Sequence, residues 1–170
     1  WIKYPQPILY ATSGWEYQIG SSSIIKKDGI YYLYYFGRNA PLYRIGVATS
    51  TDGINFTKYP GNPIITDTAS WEESGVIYPS VILENSLFKM VYTNSTGTGF
   101  GLATSTDGFN WIKSGSNPFF NNLQTSNDWA RGKIAFPHWV KLSNEMRIYY
   151  SGIRINSEEH RIGMMKKLGN

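Results

Sequence analysis

Ile45-Gly46-Val47-Ala48-Thr49-Ser50-Thr51-Asp52-Gly53-Ile54-Asn55-Phe56 returns 55 positions later as Phe100-Gly101-Leu102-Ala103-Thr104-Ser105-Thr106-Asp107-Gly108-Phe109-Asn110-Trp111. A segment that recurs at such an offset marks a chain built of supersecondary units that share a core only when stacked. Aromatic runs precede both copies, Tyr31 to Gly37 and Phe88 to Asn94, and a third run spans Met146 to Gly152. Ahead of these stand Ser23-Ile24-Ile25-Lys26, Ser80-Val81-Ile82-Leu83 and His138-Trp139-Val140-Lys141. The turn sequences Lys27-Asp28-Gly29, Glu84-Asn85-Ser86 and Ser143-Asn144-Glu145 join each pair into a hairpin. Trp15, Trp71 and Trp129 open the three units at matching places.

Each unit therefore reads as four strands. A is apolar and carries Ser or His, B is Tyr-rich, C is the Gly-x-Ala-Thr-Ser segment, and D follows an Asp-Gly turn with Phe56 or Trp111. Asn62-Pro63 and Asn117-Pro118 close the units. At the N-terminus, Trp1-Ile2-Lys3 repeats Trp111-Ile112-Lys113, while Ile162 to Lys166 reads as a C strand without a following D. The expected fold is an all-β propeller of four-stranded antiparallel blades. Three blades lie in this chain, about 10–65, 66–120 and 121–170 plus 1–9, with the N-terminal strand completing the last. Three wedges leave an open arc, since propellers have about four to eight blades. Either a longer five-bladed chain closes the ring, or a homodimer closes it with six.

Composition agrees. Of 170 residues 41% are hydrophobic and 16% aromatic, and only 16% are charged, which excludes a disordered polyelectrolyte. Seventeen Gly, eight Pro and thirteen Tyr suit short strands and tight turns better than helices. With no Cys there is no disulfide and no thiolate metal site, and the lack selects no compartment. No apolar run approaches a membrane span and no signal peptide is visible, so no membrane partner is expected. The net charge of +4 is scattered, so a nucleic-acid partner is not expected either. Two His without clustered carboxylates present no metal-ligand spacing, and no cofactor is expected.

The twelve-residue repeat, the Tyr31-Tyr32-Leu33-Tyr34-Tyr35 strand and the Tyr78-Pro79-Ser80-Val81 segment after Trp71-Glu72 resemble a known superfamily. They are similar to the five-bladed propeller glycoside hydrolases of families 32, 43, 62, 68 and 130. The resemblance spans all 170 residues and about three of five blades. It implies hydrolysis or phosphorolysis of a carbohydrate at an axial pocket, with carboxylates at the inner ends of A strands one or two positions before a Pro. Here Ile77-Tyr78 precede Pro79, Ala135-Phe136 precede Pro137, and the first unit has Gly20-Ser21-Ser22. None of these is acidic.

Of the twelve acids, Asp28, Asp52, Glu84, Asp107 and Glu145 belong to hairpin turns, and Glu158 and Glu159 to a polar loop. Glu16, Asp67, Glu72, Glu73 and Asp128 remain, in loops leading to A strands. Glu72 and Asp128, each beside a unit-opening Trp, form the candidate catalytic pair; glycoside hydrolysis needs two carboxyls about 5–9.5 Å apart. The competing reading makes both solvated loop acids. Candidate substrate-binding residues are Trp71, Glu73, Tyr78, Trp129, Arg131 and His138. Flat rings stack on sugar faces, and the Arg131 guanidinium, with Lys133 nearby, suits an anionic sugar. The structural alternatives are Trp residues stapling blades and a hydrogen-bonded His138. The overall expectation is a carbohydrate-directed propeller, with a non-catalytic scaffold that binds a glycan or protein as the alternative.

Overall fold

The computed structural model describes residues 1–125 and 128–168. It is an all-β chain of three antiparallel sheets. Blade 1 contains β1 (Gln18–Lys27), β2 (Ile30–Asn39), β3 (Leu42–Ser50) and β4 (Thr57–Lys58), side by side in that order. Blade 2 repeats it with β5 (Val76–Glu84), β6 (Leu87–Asn94), β7 (Gly99–Ser105) and β8 (Ile112–Lys113), and β9 (Phe120–Asn121) also pairs with β7. Blade 3 has β10 (Lys133–Lys141), β11 (Glu145–Ile153) and β12 (His160–Leu168). No helix is long and apolar enough to cross a membrane among the described residues.

Local chemistry accounts for the hairpins. Asp28 and Gly29 form a two-residue loop with φ of 50° and 82°, the double positive φ that matches the twist of flanking strands. Asn85 and Ser86 do the same at 49° and 64°. After each C strand, the Asp52 or Asp107 carboxylate accepts two backbone amides at 2.8 Å and ties the turn to itself. Gly101 must be glycine, because a Cβ there would lie 2.3 Å from the Tyr92 ring.

Blades stack face to face. Ile45 and Val47 of β3 pack on Val81, Phe88 and Met90 of blade 2, all buried. Phe100 of β7 packs on Ile134, Ile148 and Tyr150 of blade 3. Each such side chain stabilises the stack by about 1.5–3 kcal/mol relative to exposure. At the inner edge the A strands are stitched directly: Ser23 Oγ accepts the Val81 amide at 2.9 Å, and Ser80 Oγ accepts the Trp139 amide at 3.0 Å.

One expectation is corrected. Residues 1–9 form no strand, and among the described residues the last blade has three strands. Trp1 is fully exposed. Ile8 and Leu9 instead lie with Leu33 and Tyr35 beside blade 1. The physical reason is the repeat itself. Ile8-Leu9 correspond to Ile64-Ile65 and Phe119-Phe120, which fill the seam ahead of the following blade, so the segment seats against blade 1.

Candidate functional site

Three A strands converge at their inner ends, and each is broken there by a register shift: between Gly20 and Ser22, Ile77 and Ser80, and Ala135 and His138. Such bulges re-aim side chains, and Pro79 and Pro137 are tolerated there because β5 and β10 are edge strands that pair on one side only. Ser21, Tyr78 and Phe136, at these bulges, have φ of 35°, 53° and 52°. Left-handed backbone at bulky residues costs about 1–2 kcal/mol each and clusters at functional sites.

The bulges line a cleft of about 510 Å³ that includes Ser21, Ser22, Tyr78, Phe136 and His138. The Tyr78 and Phe136 rings lie 4.0 Å apart at 33°, and Phe36 abuts Tyr78 edge-on at 5.7 Å. Phe136 is half exposed. Burial pushes the Tyr78 hydroxyl up, with Tyr43 adding to the effect, so it stays protonated at neutral pH. The lining offers aromatic faces, hydroxyls and one imidazole. It contains no carboxylate.

Glu72 lies elsewhere. Its side chain has no exposure to solvent. Oε2 accepts the Thr68 and Ala69 amides at 2.7 and 3.0 Å, Oε1 accepts the Tyr92 hydroxyl at 2.9 Å, and the Lys113 ammonium reaches both oxygens at 2.5 and 2.6 Å. Asn117 completes the cluster by donating to Tyr92 and clamping the Leu102 amide and carbonyl. Blade 1 repeats it: Glu16 accepts Tyr35 at 2.7 Å and Lys58 at 2.5 Å, while Asn62 clamps Val47. In blade 3 the matching position is Ala130, buried beneath the Trp129–Tyr150 stack. A carboxylate held on every side by donors, and duplicated in the neighbouring blade, closes strand D onto the loop ahead of strand A.

The structure does not bring Asp128 to Glu72. Asp128 is an exposed residue of blade 3, with Arg131 3.7 Å away. Trp71 and Trp129 stack on Tyr92 and Tyr150 of their own blades, covering the backbone within a blade rather than stapling two. Glu73 is exposed and accepts the Thr96 hydroxyl at 3.0 Å. Of the sequence-derived candidates, Tyr78 and His138 line the axial cleft, and Arg131 lines a separate one. Phe136 is absent from those candidates, although aligning Phe136-Pro137 with Tyr78-Pro79 marks it. Among the described residues no group of His or acids could hold a metal ion.

Several carboxylates are acid-sensitive. Burial pushes Glu72 up, but the Lys113 ammonium, the Thr68 amide and the Tyr92 hydroxyl outweigh it and hold the group below 4.5. The Asn55 and Ile54 amides hold Asp52 below 3.8; at Asp107 burial acts upward, and the Asn110 and Phe109 bonds overcome it with the same result. The unfolded chain therefore takes up protons more readily than the fold. Stability from these groups is present above pH 4.5 and falls as pH drops through the lowered values. Urea midpoints followed by tryptophan fluorescence decline below pH 4.5 and stay level above it.

Bladed sheets around an axial cleft with aromatic walls define the class: a propeller of the glycoside-hydrolase type. Residues 21–164 match the glycoside hydrolase 130 family, described as beta-1,4-mannooligosaccharide phosphorylase. The chain belongs to that family. Among solved structures it resembles a complex of BT0996 and RGII, with a TM-score of 0.75 at 20% identity over 100% of this chain and 53% of that one. An endo-1,4-beta-xylanase from Bacteroides thetaiotaomicron gives 0.69 at 19% identity over 99% and 62%. The beta-fructofuranosidase BmSUC1 of Bombyx mori gives 0.66 at 19% over 87% and 33%. These likenesses establish the fold. The chain spans about half the length of the first of these structures.

Proposed function

We propose that this chain supplies three blades of a carbohydrate-active ring and that its axial cleft holds a sugar between Tyr78, Phe136 and His138. The observation that carries this reading is the aromatic pair on left-handed backbone at the bulges of adjacent A strands. Strain of that kind persists where it presents a side chain to a ligand, and flat rings beside hydroxyls suit a pyranose face. The family description points to β-linked manno-oligosaccharides as the ligand class. Bond cleavage needs a proton donor at the leaving oxygen, and the cleft lining has no carboxyl. This chain therefore acts as the sugar-holding wall, and an acid for hydrolysis or phosphorolysis comes from outside this lining. Titration with manno-oligosaccharides tests the reading, with loss of binding on replacing Tyr78 as its signature.

The remaining blades pack on the open faces of blades 1 and 3. Ile162 and Met164, 74% and 47% exposed, occupy the positions of the buried Ile45 and Val47. In a twofold ring of six blades a second copy covers them. Sedimentation velocity yields twice the chain's mass if this holds, and the mass of one chain at high concentration removes the dimer.

A further inference from the structure

Blade 3 carries a second cleft, about 670 Å³, whose lining includes Arg131, Lys133, Arg154, Asn156, Glu158 and His160. Its positive charge is built on constrained backbone. The Gly132 amide donates to the Ile153 carbonyl at 2.8 Å, and a Cβ at 132 would lie 2.7 Å from that oxygen and 2.8 Å from the Arg154 carbonyl. Only glycine lets the start of β10 approach the end of β11 this closely. Lys133 is braced from blade 2, where the Gly97 carbonyl accepts the Ile134 amide at 2.7 Å.

Three cations face one anion, Glu158. Among the described residues Lys133 and Arg154 form no ion pair, and Arg131 has the loose contact to the exposed Asp128. The repeat sharpens the point. Trp15, Trp71 and Trp129 stack alike, and two positions on lie Tyr17, Glu73 and Arg131. Four positions after Trp71 is Gly75, where blade 3 has Lys133. The fold is built twice without these cations.

We infer that this cleft binds the carboxylate of an acidic saccharide whose neighbouring ring lies in the axial cleft. The two sites share β10: Lys133 and Phe136 are three residues apart, about 10 Å along an extended strand. Guanidinium and ammonium groups form charge-assisted bonds to a carboxylate, and the Arg fork suits its planar geometry. The inference rests on the carbohydrate reading above and adds a charge requirement to it.

Calorimetric titration of the chain with a β-1,4-linked oligomannuronate, which keeps the manno ring and adds only the carboxylate, and with its methyl ester tests it. The free acid binds roughly tenfold tighter than the ester at low salt. The double variant Lys133→Gln/Arg154→Gln abolishes that difference while leaving ester binding unchanged. Equal affinity for acid and ester in the parent overturns the inference but leaves the sugar site intact. Inorganic phosphate displacing the acid at equal concentration also overturns it, because the cleft then takes any oxyanion. Binding of neither acid nor ester, nor of a manno-oligosaccharide, removes the sugar reading itself.

Discussion

Glu72→Ala lowers the free energy of unfolding by about 3 kcal/mol, measured by urea denaturation at neutral pH. The carboxylate is fully desolvated, and four neighbouring groups depend on it: two backbone amides, the Tyr92 hydroxyl and the Lys113 ammonium. Removing it leaves the largely buried Lys113 ammonium with the Thr66 carbonyl and Thr68 hydroxyl but no counter-charge, which accounts for most of the loss. Glu72→Ala with Lys113→Met therefore recovers roughly half of it, because the stranded charge is gone. Blade 3 is the natural precedent, with Ala130 buried at the matching position. A catalytic Glu72 would behave in the opposite way: Glu72→Gln would abolish turnover while stability stayed level, and that result would remove the structural role.

Tyr78→Gly abolishes most sugar binding and leaves the fold nearly as stable as before. Glycine relieves the positive φ of 53°, worth about 1–2 kcal/mol, which offsets much of the lost ring burial. The ligand loses one wall of its cleft, and hot-spot aromatics contribute about 2 kcal/mol or more, roughly a thirtyfold loss of affinity. Phe136→Gly behaves likewise, since its φ is 52° and its ring is the outer member of the stack. An unchanged manno-oligosaccharide affinity in both variants, with thermal midpoints preserved, would sink the axial site. A large drop in thermal midpoint would instead assign the two rings to holding blades together.

What can be read from residues alone follows from range. The hairpins at Asp28-Gly29 and Asn85-Ser86 and the capped turns after Ser50 and Ser105 depend on neighbours a few positions apart, and all appear as expected. The A strands run further than their alternation indicates, because the bulges at Tyr78 and Phe136 interrupt the pattern that marks a strand. Glu72 departs from its expected role for the opposite reason. Its ion-pair partner Lys113 lies 41 residues away, and no local pattern joins them, though Glu16 with Lys58 repeats the spacing closely.

The repeated sequence by itself determined that this protein is a stack of antiparallel blades, because turn chemistry and alternation are local and occur in register. Tertiary structure alone decided which acids are free to act and where the first nine residues seat. Those outcomes depend on burial and on distances between blades, which arise only once the sheets have packed against one another.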